Sequence, residues 1–185
     1  KTIEELVAAA KEKGNLKAST NGNKASNHTA AQLLAKSAGF KYKAIPYGGT
    51  ADQLLALRQG EVDFTCAKVA DVAKLVKGDK PELRVLAVFN TKRDPELPNV
   101  PTLGEKGLYP EWYGSARALV APKGTKPEVI QYYVEAFKKT MQDPAVIEAH
   151  KKAGMALDFK DNKELGDLIK AQDKFARDVV NDLYK

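Results

Sequence analysis

The sequence predicts an α/β fold, a mostly parallel sheet with helices packed on it. Three observations predict it. Short apolar runs of strand length alternate with helical stripes through roughly the first half of the chain. Glycines stand where those helical stripes stop, at Gly14, Gly39 and Gly60. The run LRVLAVF, Leu83–Phe89, is apolar enough for a strand buried on both faces.

The elements follow in order. Thr2 and Glu5 form the sequence pattern of a capping box ahead of the stripe Ile3, Leu6, Val7 and Ala10. Leu16 to Ser19 reads as a strand. Ser26 is placed to cap a helix that carries Leu33 and Leu34 and ends at Gly39. Tyr42 to Pro46 reads as the second strand, Gly48-Gly49 as a turn, and Thr50–Gln53 as a second capping box. Val62 to Cys66 is expected as a third strand, followed by a helix from about Val69 to Val76, and Leu83–Phe89 as a fourth strand.

Beyond Asn90 the character changes. Pro95, Pro98 and Pro101 punctuate a charged, irregular connection, with one helical turn expected at Leu103–Glu105. Trp112–Pro122 reads as a strand. Thr125–Glu128 reads as a third capping box, before the stripe Ile130, Tyr133, Val134, Phe137 and Met141. Asp143-Pro144 starts another helix, and Asp161–Glu164 the last, with Leu165, Leu168, Ile169, Phe175, Val179 and Leu183 on one side. These C-terminal helices have little sheet of their own to cover.

Composition narrows the function classes. The chain has 185 residues, with 30 Lys and Arg scattered among 24 Asp and Glu, for a net charge of +6. No block of like charge marks a nucleic-acid surface. No apolar run approaches the roughly 18 residues of a membrane helix, and no signal-peptide pattern opens the sequence. One cysteine excludes an internal disulfide, and the two histidines stand in no metal-ligand spacing. The nucleotide patterns GxxxxGK[ST] and GxGxxG are absent, so no cofactor is expected.

Three loops lie where parallel sheets bind ligands, beyond strand ends and before helices. They are Ser19–Ser26, Tyr47–Thr50 and Thr65–Lys68. Thr20, Asn21, Gly22, Ser26 and Asn27 are small and polar, and helix N-termini attract carboxylates and phosphates. The first loop reads equally as a turn with a helix cap. Tyr47 can line a pocket or simply end its strand, with Gly48, Gly49 and Thr50 forming the turn. His28 and Cys66 are the candidates for enzyme chemistry, although no serine elbow accompanies them.

Taken together, TNGNKASNH, IPYGGTADQLLALRQGEVDF, LRVLAVFNTKRDPELPNVPTLGEKG, APKGTKPEVI and DPAV resemble the solute receptors of tripartite tricarboxylate transporters, the Bug receptor family. The resemblance runs almost end to end. It implies a type II periplasmic-binding-protein-like lobe that captures a small organic carboxylate in the periplasm. The ligand would be a di- or tricarboxylate, an amino-acid-like acid or an aromatic acid, delivered without catalysis to membrane transporter subunits. By position it implies ligand contacts from Thr20, Asn21, Gly22 and Ser26, then Tyr47, Gly48, Gly49 and Thr50. Cys66-Ala67 departs from the polar pair common in the family. The resemblance further implies that residues 1–114 are the second lobe, and that 115–185 cross back to complete a first lobe whose N-terminal part, with the signal peptide, lies outside this sequence. A dimer or swap through the C-terminal helices is then open. The competing readings are a small α/β enzyme using His28 or Cys66, and the effector-binding domain of a transcription regulator.

Overall fold

The computed structural model describes residues 1–155 and 157–184, and of Asn181 its backbone. The chain divides into two compact units, Lys1–Ser115 and Ala116–Lys185.

The first unit is an α/β sandwich built on three parallel strands. Helix α1, Ile3–Lys13, starts at the Thr2/Glu5 capping box and stops at Gly14, which takes a left-handed φ of 67°. It leads to β1, Lys17–Thr20. Helix α2, Ser26–Ala38, connects β1 to β2, Lys43–Pro46, and α3, Thr50–Arg58, connects β2 to β3, Phe64–Thr65. Strand order is β2-β1-β3. Thr20 lies opposite Pro46, and Ser19 opposite Thr65, so the three carboxyl ends stand level. Because the chain steps to one side of β1 and then to the other, right-handed crossovers put α2 and α3 on opposite faces.

The core sits under α1 and α2. Ile3, Ala10, Leu16, Ala18, Ala31, Leu34, Phe64 and Leu103 are buried in one cluster. Phe40, Tyr42 and Phe64 pack edge to face within it, with centroids 5.6–6.4 Å apart.

Several expected elements form differently. The third strand contracts to Phe64–Thr65, and the helix after it, α4, is only Val69–Val72. Leu83–Phe89 makes no ladder among the described residues. Val88 alone bridges to Thr102, through Val88 N–H to Pro101 O and Leu103 N–H to Val88 O, both 3.0 Å. Pro101 has no N–H to continue the pairing, so the run stays a single bridge. The expected helical turn appears one residue along, as a 3-10 turn at Gly104–Lys106. Trp112–Pro122 is not a strand either; Tyr113 N–H donates to Phe89 O at 3.2 Å, but no ladder follows among the described residues.

The second unit is helical, with α5 Pro127–Gln142, α6 Pro144–Lys152 and α7 Asn162–Phe175. A π-helical turn, Ala176–Val180, leads from α7 into α8, Asn181–Leu183. Asp143 caps α6, and Asp161 with Glu164 closes a capping box on α7. At Thr125 the expected box does not form. The hydroxyl bonds back to Pro122 O at 2.8 Å, and Lys126 becomes the cap residue ahead of Pro127. Tyr132, Tyr133, Phe137 and Ile169 remain exposed on the helix surfaces. No described helix is long and apolar enough to cross a membrane.

Candidate functional site

The level strand ends bring the three loops side by side, since neighbouring strands run about 4.8 Å apart. Three bonds stitch them together. Tyr47 N–H donates to Thr20 O at 2.9 Å, joining the first and second loops. The Gln53 amide donates to Ser19 O at 3.2 Å and to Cys66 O at 2.7 Å, joining the first and third.

In the first loop Thr20 is fully buried, and its hydroxyl donates to Gly22 O at 3.2 Å. Gly22 has a φ of 127°, a conformation that L side chains rarely adopt. Lys24 is also left-handed, at φ 58°, and its N–H donates to His28 Nδ1 at 2.9 Å. The polar turn is thus held by its own backbone and by His28. Asn21 is partly buried, and its Oδ1 is enclosed without a hydrogen bond. Ser26 does not cap α2. Ala25 takes the cap position, because its carbonyl already accepts Thr29 N–H at 2.9 Å, and Ser26 becomes the first helical residue. Asn27 and His28 are buried. Asn27 turns inward and donates through Nδ2 to Gln53 Oε1 at 2.8 Å.

In the second loop Thr50 likewise fails to cap. Gly49 is the cap residue of α3, and Gln53, expected to reach back to the cap, turns toward the sheet. Tyr47 is half-buried and donates its hydroxyl to Glu61 Oε2 at 3.1 Å. Desolvation, then Glu61, holds that phenol above its ordinary range. Gly48 is exposed.

The consequence is electrostatic. The cap residues of α2 and α3, Ala25 and Gly49, make no side-chain cap bond, whereas α1, α6 and α7 are capped by Thr2, Asp143 and Asp161. Adjacent uncapped N-termini bring partial positive charge and donors to the ends of β1 and β2, with the Asp52 carboxylate set against them in the first turn of α3. Helix α5 is also uncapped, but Pro127 removes one of its donors.

The enzyme readings lose their chemistry here. His28 Nδ1 is occupied by Lys24 N–H, and desolvation lowers the imidazole pKa. Cys66 packs against the core, and burial pushes its thiol up to about 12, far from a reactive thiolate. Among the described residues no group of three or more His, Cys, Asp or Glu could hold a metal.

The family model described as "Tripartite tricarboxylate transporter family receptor" matches residues 1–183. The chain belongs to this family. Its members are substrate-binding receptors, not enzymes. A Cupriavidus necator relative, "UPF0065 protein in gbd 5'region", is 37% identical over 145 residues, covering 78% of this chain and 43% of the relative. A solute-binding protein of the family from Polaromonas, solved without ligand, superposes with a TM-score of 0.85 at 27% identity, covering 98% of this chain and 62% of that one. An R. palustris protein solved with adipate has the same fold, with a TM-score of 0.78 at 22% identity over 95% of this chain and 60% of its own. The receptor chain spans about half the length of the curated relatives it matches.

Gln53 is the site residue that sequence reading missed. It was visible only as the fourth position of a capping pattern. The available signal was its place beside Leu54 and Leu57, on the helix stripe that meets the sheet.

Proposed function

We propose that this receptor chain captures a small organic carboxylate in the periplasm and delivers it to membrane transporter subunits, without catalysis. Residues 1–114 would be one ligand-binding lobe, and residues 115–185 would contribute to the other. The observation that carries this reading is the pair of neighbouring helix N-termini, on α2 and α3, that no side chain caps. Peptide N–H groups and helix dipoles are the donors suited to a carboxylate. Thr20, Asn21, Gly22, Ser26, Tyr47, Gly48, Gly49 and Thr50 frame those donors. Asn27, His28 and Cys66 support them from beneath. The adipate-bound relative supports a dicarboxylate as the first probe.

One lobe leaves a ligand solvated on its far side, so affinity for this chain alone is expected to be weak. Amide chemical shifts in an NMR titration read weak binding residue by residue. Adipate is expected to move the amides of residues 21–27 and 48–52, and its dimethyl ester to leave them in place. Equal responses to acid and ester, or responses confined to other regions, would overturn the reading.

A further inference from the structure

Gln53 is fully buried, although it lies in the first turn of a helix, where polar residues ordinarily face water. Its side chain meets the first and third loops of the site, and its main-chain N–H bonds Gly49 O of the second. Nε2 donates to Ser19 O and Cys66 O and makes a short contact with Thr65 Oγ1. Oε1 accepts from Asn27 Nδ2, in the first turn of α2. The Gln53 main-chain carbonyl accepts from Ser19 Oγ at 3.0 Å, and Thr65 Oγ1 donates to Ser19 O at 3.0 Å. One amide therefore joins the end of β1, the start of α2, α3 itself and the residue after β3.

The chemistry of this arrangement is directional. A strand-end carbonyl beside an anion site repels a carboxylate. Gln53 engages two such carbonyls, those of Ser19 and Cys66, from the interior. A carboxyl side chain could not do this when ionised, because it only accepts. An apolar one would take a partner from Asn27 Nδ2 and Cys66 O, and leave Ser19 O with the Thr65 hydroxyl in place of two side-chain donors.

We propose that Gln53 is a positioning residue whose buried amide locks the three loops into one arrangement, leaving the N–H groups of α2 and α3 to face an anion. The anion half of this inference rests on the carboxylate reading above; the locking of the loops does not.

Three variants test it: Gln53→Leu, Gln53→Glu and the milder Thr65→Val. The readout is amide hydrogen exchange at Thr29, Tyr47 and Asp71, one reporter for each loop, bonded to Ala25 O, Thr20 O and Lys68 O. Each variant is compared with wild type at the same pH. Gln53→Leu is expected to speed exchange at all three reporters together, by about tenfold or more, with the amides of α1 unchanged. Faster exchange at one reporter only, or none, overturns the proposal.

If Gln53→Leu loosens the whole unit, Gln53→Glu decides. Protonated, its carboxyl can donate to Cys66 O and accept from Asn27; ionised, it can only accept. Burial raises its pKa. Protection relative to wild type should therefore be near normal in acid and fall at all three reporters as the pH rises. A flat ratio across pH overturns the proposal. Thr65→Val should give a smaller joint loss at the same reporters, and a loss confined to Asp71 counts against it.

Adipate separates the two readings. Where wild type responds and Gln53→Leu does not, the anion half stands. Where both respond alike, it falls. Where wild type itself gives no response, the carboxylate reading fails, and exchange alone judges the locking.

Discussion

Tyr113 donates its hydroxyl to the carbonyl oxygen of Ser26 at 3.2 Å, so the last stretch of the first unit is tied to the first residue of α2. The ring stands edge-on to Phe89, with centroids 6.1 Å apart. Tyr113→Phe keeps the ring and removes the bond. The expected cost is about 1 kcal/mol, together with faster amide exchange at Thr29. Denaturant melts and exchange at that amide check it; an unchanged midpoint would refute it.

Phe64 anchors β3 beneath the aromatic cluster and is only 6% exposed. Phe64→Ala is expected to cost roughly 3–5 kcal/mol. Its packing partners Phe40 and Tyr42 lose their edge contacts together, so near-ultraviolet circular dichroism should fall as well. A loss comparable to that of a surface substitution would show that the cluster is not the core of the unit.

Helix caps give a paired test. Asp161→Ala removes an acceptor from Lys163 N–H and Glu164 N–H and should cost about 1 kcal/mol in α7. Ser26→Ala should leave stability nearly unchanged, because the Ser26 side chain caps nothing. Comparable losses from the two would contradict the cap assignment.

Two titrations follow from burial. For His28, ordinarily 6.5, desolvation lowers the folded pKa. The unfolded chain then takes up a proton that the folded imidazole resists. Its stabilisation is complete above pH 6.5 and is lost as the pH falls through the lower folded value. Protonation also puts a hydrogen on Nδ1, against the Lys24 N–H it accepts. His28→Gln should flatten the acid limb of stability measured by urea melts; an unaltered limb would rule His28 out as its source.

For Cys66, the thiol moves from 9.0 to about 12 by burial. Below pH 9.0 both states keep the proton; above it the unfolded chain releases one that the folded chain retains, so stability falls as the pH climbs toward about 12. A disulfide reagent should label native protein slowly and the urea-unfolded chain fast. Equal rates would place the thiol at the surface.

What could be read from sequence was local. The Thr2/Glu5 and Asp161/Glu164 boxes are decided within four consecutive residues, and both form. The ordered motifs from IPYGGT to DPAV carried the family. Ser26 and Thr50 were misplaced as caps because the residues before them, Ala25 and Gly49, take the cap position. The stripe could place Gln53 toward the sheet but not name its partners, because Ser19 and Cys66 lie 34 and 13 residues away. Leu83–Phe89 has the composition of a strand, but a strand also needs a neighbour that can donate, and Pro101 cannot.

The uncapped starts of α2 and α3 bear on how such a chain can drift. Their donors belong to the main chain, which every residue except proline carries. Replacing the small polar side chains around them can alter shape and selectivity while the donors persist. On the proposed reading, heredity then writes the rim freely and leaves the grip alone, and only a proline in the first turn of either helix erases part of it.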